Sequence, residues 1–301
     1  MEYDYKDVLK DASRTICHIS GRILDIVDIK KPSTIEYAVQ LSKVISKLSP
    51  LIGNMIEFST VDLLNSKNSN RYGKWMRQDP GFPDALFKSE VVLPNPGIEI
   101  KAWFPFATEI TARFKDSVRL FAPNHINVAL IAWLPEFVIY GKPKIIDVLV
   151  VSGKSVAEAR DRHYHKPPKY LVIEPEDTTA RTSNLQQTNT NGYRFQEDES
   201  DIAAACKIVD GWGEELLTYS PDKPYQDLMK SLQARFIYRL DTNYAKIDRI
   251  EHAEIECFKR RILNMVFHGR TVYEWSRILS GNGRPDVLKS ELECLLGGTG
   301  L

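Results

Sequence analysis

Asp84, Glu99 and Lys101 put two carboxylates and one ammonium into one short stretch of this 301-residue chain. A pair of carboxylates can hold a hard cation such as Mg²⁺ through oxygen ligands, with waters filling the remaining positions. An ammonium beside that cation can lower the pKa of an attacking water or stabilise charge on a phosphate. The set therefore suits metal-assisted cleavage of a phosphodiester. The same residues also admit a plainer reading, an edge hairpin in which Glu99 and Lys101 form a solvated ion pair.

The elements that must position these groups follow from local pattern. Asp84-Ala85-Leu86-Phe87 opens a strand that runs patchily to Leu93, and Pro94-Asn95-Pro96-Gly97 is a dense cluster of turn residues. Residues 97–104 read as a second strand, rich in Ile and aromatics. Side chains alternate along a strand, which sends Ile98 and Ile100 to the core and Glu99 and Lys101 to the other face. Closing the hairpin brings Asp84 toward Glu99, given some bend or register offset. Upstream, Ile52, Met55, Ile56 and Leu63 fall near helical spacing over residues 51–64. Glu57 sits at the shoulder of that face, and Gly53 permits close approach of another backbone. Asp62 is a weaker competitor for the role of Glu57. Asp79 and Glu90 replace Asp84 and Glu99 if the register differs.

Pro83-Asp84 followed by Glu99-Ile100-Lys101 resembles the motif of the PD-(D/E)xK nuclease superfamily. The resemblance implies Asp84 and Glu99 as metal ligands and Lys101 as the catalytic lysine. Glu57 looks like the glutamate that restriction endonucleases of this superfamily often carry on the helix before the catalytic hairpin. The order of elements agrees. A helix is expected over 109–121, with Ile110, Phe114, Val118 and Phe121 near period 3.6. Strands follow over 127–134 and 145–151, with Phe137 to Tyr140 either extending the sheet or opening a new strand. A helix starting from a Ser155 cap runs over 155–163, and a last strand covers 170–173. The likeness spans about residues 50–175. It implies an α/β fold with a restriction-endonuclease-like core, a mixed β-sheet flanked by helices, between helical N- and C-terminal regions. It also implies a Mg²⁺-dependent, sequence-specific endonuclease acting on double-stranded DNA, a type II restriction enzyme that leaves a 5′-phosphate and a 3′-hydroxyl. Such enzymes usually cut palindromes as homodimers. Two alternatives stay open: a structure-specific repair or mobile-element nuclease of the same superfamily, and a noncatalytic DNA-binding or interaction protein.

Size and composition set the frame. Forty basic and forty acidic residues balance to zero net charge, so the cations that meet DNA must cluster. One cluster is Arg160, Arg162, His163, His165, Lys166 and Lys169, interleaved with tyrosines. Another is Arg71, Lys74 and Arg77, in a polar loop before the motif. A third candidate is the polar tract 178–196, where Arg181, Gln186, Gln187, Asn189 and Asn191 offer groups that can read base edges. Lys259 to Arg261 reads as a solvated helix face. The chain divides into an N-terminal helical region (1–66), a catalytic core (67–175), and a polar loop with a mainly helical region (176–301). Cys17, Cys206, Cys257 and Cys294 are scattered, which argues against structural zinc or a disulfide framework and for reduced, partly buried thiols. No run is apolar enough to span a bilayer and no signal peptide is evident, so a cytoplasmic protein without a membrane partner is expected.

Overall fold

The computed structural model describes residues 4–67, 72–78, 81–106, 121, 123–163, 169–173, 193–197, 199–212, 223–235, 252–280 and 285–297. The chain forms two compact units. Met1–Ala112, Ser117–Glu158 and Glu251–Leu301 make the first, and Arg113–Asp116 with Ala159–Ile250 make the second.

The first unit begins with helix α1 (Tyr5–Cys17), which starts from a capping box. The Asp4 carboxylate accepts the Lys6 and Asp7 N–H groups, and the Asp7 carboxylate accepts the Asp4 N–H. Val8, Leu9, Ala12 and Ile16 form its buried stripe. Helix α2 (Ile35–Val44) is capped by Thr34, and a 3₁₀ turn, Ile45–Leu48, leads straight into α3 (Ser49–Lys67). Pro50 falls in the first turn of α3, where a missing N–H has no intrahelical partner to lose.

Five strands form one mixed sheet in the order β1 (Gly73–Arg77), β2 (Ala85–Ser89), β3 (Gly97–Trp103), β4 (Ile126–Phe137) and β5 (Tyr140–Ser152). Only β3 and β4 run parallel. A parallel step needs a long crossover. The helix expected there, over 109–121, lies outside the described residues except for Phe121, which is helical and fully buried. The fold class is α/β, a mixed sheet with helices, the coarser part of what the resemblance implied. Phe137 to Tyr140 turns out to be a tight reversal between β4 and β5. Val138 takes a φ of 61° there, and the rings flanking the turn, Phe137 and Tyr140, stack 4.9 Å apart. Beyond β5, helix α4 (Gly153–His163) starts earlier than expected. Its cap is Ser152, whose Oγ accepts the Ser155 N–H at 3.3 Å.

In the second unit, β6 (Lys169–Ile173) pairs with β7 (Tyr193–Glu197) in a separate two-stranded sheet. The strand expected over 170–173 thus does not extend the five-stranded sheet. The end of the polar tract, Tyr193 to Gln196, together with Glu197 forms its partner. Helices α5 (Glu199–Asp210) and α6 (Lys223–Arg235) bury Ala205 and Leu232, with Ile208, Val209 and Trp212 packed around them.

The C-terminal elements belong to the first unit. They are α7 (Ala253–Leu263), a small hairpin of β8 (Val266–Phe267) and β9 (Arg270–Thr271), α8 (Val272–Leu279) and α9 (Pro285–Gly297). α1 packs on β4 and β5, and α7 packs on β5. The Phe258 ring of α7 lies 6.0 Å from that of Trp103. Arg261 of the same helix reaches Asp147 at 2.6 Å, so this arginine is pinned to the sheet rather than merely solvated. The four cysteines are unbonded, but Cys17, Cys257 and Cys294 are exposed and only Cys206 is half-buried. Among the described residues no helix is long and apolar enough to cross a membrane.

Candidate active site in the β2–β3 hairpin

The hairpin register pairs Ala85 with Ile98 and Leu86 with Gly97. The next step of that register sets Asp84 opposite Glu99, with no offset required. Backbone pairing stops there and carboxylates take over its hydrogen bonds. The Ile100 N–H donates to Asp84 Oδ2 at 2.7 Å, and the Asp84 N–H donates to Glu99 Oε2 at 3.2 Å. Lys101 closes the cluster, its Nζ lying 2.6 Å from Glu99 Oε1 and 3.4 Å from Asp84 Oδ2. All three side chains are largely shielded, at 22 % exposure for Lys101, 16 % for Asp84 and 11 % for Glu99. Gly97 is required for this approach, because a Cβ there would collide with the Pro83 ring.

Neighbouring elements brace the hairpin. The Gln78 N–H donates to the Asp84 carbonyl at 2.8 Å, which carries the β1–β2 ladder up to the site. From α3, Asn65 holds the backbone of Trp75 on both sides, Nδ2 donating to its carbonyl at 2.9 Å and Oδ1 accepting its N–H at 3.0 Å. Gly53 of α3 faces Ala102, but an added Cβ would stand at an ordinary 3.6 Å from Ala102 Cβ, so glycine is not needed there. Glu57, on the same helix, is half-buried and lies 3.6 Å from the Arg77 guanidinium.

The electrostatics bind these groups together. Burial pushes the Glu57 carboxyl up, and the Asp84 charge pushes the same way. Burial also lifts Glu99. The Lys101 charge opposes that shift without cancelling it, and Asp84 reinforces it. Burial alone would lower Lys101, but Glu99 and Asp84, with a smaller contribution from Glu57, hold it above the usual lysine value. Lys101 is thus a firmly held cation shared among three carboxylates.

Among the described residues no group of three or more His, Cys, Asp or Glu side chains stands in a metal-ligating arrangement. Asp84 and Glu99 remain as a pair of oxygen donors. One or two carboxylates plus waters is an ordinary Mg²⁺ site. The donor chemistry therefore fits such an ion, and the shift of Glu99 reflects first its burial, with the Asp84 charge adding to it.

The remaining candidates fall elsewhere. The loop expected over residues 68–75 is in part strand β1. Lys74 is exposed on it, Trp75 is buried, and Arg77 faces Glu57 instead of standing in a free loop. Arg160, Arg162 and His163 lie on α4, and Lys169 lies on β6. Arg71, His165, Lys166, Arg181, Gln186, Gln187, Asn189, Asn191 and Asp79 lie outside the described residues. Asp62 is exposed, and Glu90 is exposed beyond the end of β2 remote from Asp84, so neither substitutes in the cluster. The Glu57–Arg77 pair was missed at the level of sequence. No local pattern signals it: Trp75 and Met76 are both apolar, and the alternation of burial along β1 appears only in the fold. No protein-family model, no curated protein and no solved structure matches this chain.

Proposed function

We propose that this hairpin hydrolyses phosphodiester bonds of double-stranded DNA, in the manner of a type II restriction endonuclease of the PD-(D/E)xK superfamily. The convergence of Asp84, Glu99 and Lys101 on adjacent strands carries the reading. The mixed sheet flanked by helices, with α3 and its Glu57 ahead of the hairpin, accords with the core that the superfamily resemblance implies. Mg²⁺ bound by Asp84 and Glu99 would supply a Lewis acid and a more acidic water.

The protein's own groups do the rest. The Ile100 N–H fixes the Asp84 carboxylate, and the Asp84 N–H fixes Glu99, so both ligands are oriented before anything binds. Lys101 is held protonated at neutral pH. It therefore acts as a fixed positive charge that orients the attacking water and stabilises the extra negative charge on phosphate, rather than as a base. Glu57 stands ready to accept a proton or complete the ligand set, its charge moderated by Arg77.

The test is incubation of the protein and its Asp84→Ala variant with unmethylated plasmid and phage DNA, in Mg²⁺ or in EDTA. Discrete fragments that require both Mg²⁺ and Asp84 are expected. Smearing, or activity only on flaps and junctions, would move the assignment to a repair-type nuclease. No cleavage of any DNA would leave a noncatalytic binding protein.

A further inference from the structure

We infer that Lys74 and Lys88 form a cross-strand clamp for the phosphate backbone of duplex DNA, on the same face of the sheet as Asp84. This rests on the nuclease reading and adds to it the surface that grips the flank of the substrate. The two lysines are direct partners in the β1–β2 register. Residues directly opposite on antiparallel strands project to the same side with their Cβ atoms about 5 Å apart, and like charges there destabilise the pair. Both side chains are exposed. Among the described residues neither makes an ion pair or a side-chain hydrogen bond, and the acid nearest Lys88 in sequence, Glu90, is exposed and does not bridge to either. The chain as a whole balances its charges, so two adjacent unneutralised cations stand out against it.

Side-chain alternation fixes which way the pair faces. On β2, Ala85 and Phe87 are buried on one side, which leaves Asp84, Leu86 and Lys88 on the other. The β1 partners of Leu86 and Lys88 are Met76 and Lys74, which share that open face. The two lysines therefore sit in line with the site. Four residues of extended strand carry Lys88 about 13 Å from Asp84. That distance is about four steps of duplex at about 3.4 Å each. A clamp so placed cannot touch the scissile phosphate. It grips a phosphate further along the backbone and sets the direction in which the duplex leaves the site. Duplex DNA, with its dense line of phosphates, is the partner whose charge this pair complements.

The test measures binding of a short fluorescein-labelled duplex by anisotropy across a salt series, with Ca²⁺ in place of Mg²⁺. Wild type, Lys74→Gln, Lys88→Gln and Lys88→Arg are compared, and Mg²⁺-dependent cleavage is assayed in parallel. Each glutamine variant should weaken binding roughly five- to tenfold near 0.1 M salt and reduce the slope of log K against log salt by about 0.9. Lys88→Arg should keep wild-type behaviour. In cleavage, Lys88→Gln should raise KM and leave kcat unchanged. Its Tm should hold or rise, because a like-charge pair has been removed; a purely structural lysine would lower it. Unchanged affinity and slope in both glutamine variants, with cleavage intact, would overturn the clamp and leave the nuclease reading standing. A wild-type protein that neither binds nor cleaves duplex DNA would overturn both.

Discussion

Two hairpins of the same sheet are built on opposite principles. β4 and β5 pair from Asn127–Ser152 to Phe137–Tyr140, and Val128 to Leu134 of β4 have no exposed surface at all. The β2–β3 hairpin has two register pairs, and beyond them Asp84 and Glu99 accept backbone N–H groups that a longer ladder would have used. In the first, backbone bonds and apolar burial coincide. In the second, charge-assisted bonds to carboxylates replace the ladder. The site hairpin is held in place by what surrounds it: β1 on one edge, β4 on the other and α3 alongside. Stability is therefore concentrated in the long hairpin, which lets the short one carry three largely shielded charges.

Truncation in the long hairpin should have the largest effect. Leu130 is fully buried and lies opposite Lys101 on one side and Leu149 on the other. Leu130→Ala should cost about 2–5 kcal/mol, read as a lower denaturation midpoint of the first unit. Lys101→Met should come next in stability and first in chemistry. It keeps the volume but leaves Asp84 and Glu99 shielded without their shared cation, at a cost of about 3 kcal/mol at neutral pH. Cleavage should fall about 10²–10³-fold with the loss of that charge. If Lys101→Met proves the more destabilising of the two, the division of labour between the hairpins is wrong.

The same contrast explains what could be read from sequence. Alternation over residues 97–104 placed Glu99 and Lys101 on a common face, and the apolar run over 127–134 announced a buried strand, because period and hydrophobicity are local properties. Strand β1 was not legible. Gly73 to Arg77 carries two cations and follows a polar run, and what makes it a strand is the packing of Trp75 against Phe87, with ring centroids 5.4 Å apart, together with the Asn65 clamp on its backbone. Those are contacts between distant residues. Missing β1 turned Arg77 into a loop residue and hid its pairing with Glu57. The strand over 170–173 was legible as a strand but not as a member of a separate sheet. Its partner, Tyr193 to Glu197, sits at the end of a tract whose composition reads as loop.

The smallest effect separates the hairpins by pH. Burial raises the Glu99 carboxyl, with Lys101 opposing and Asp84 adding. For a carboxyl whose folded pKa lies above its unfolded value, the stabilising contribution is complete below the unfolded value, about 4.3 for glutamate. It is lost as pH rises through the folded value. The proposed hydrolysis needs the opposite, an ionised Glu99. Across that window wild-type stability should therefore decline while the cleavage rate climbs. Removing the ammonium removes the largest influence that lowers Glu99, so Lys101→Met should push the carboxyl higher still. A ¹³C NMR titration of the Glu99 carboxyl in both proteins, beside a pH–rate profile of the wild type, checks this. A Glu99 that titrates at or below the ordinary range, or that does not move when Lys101 is replaced, would mean that burial does not dominate at Glu99 and that the short hairpin is not electrostatically strained.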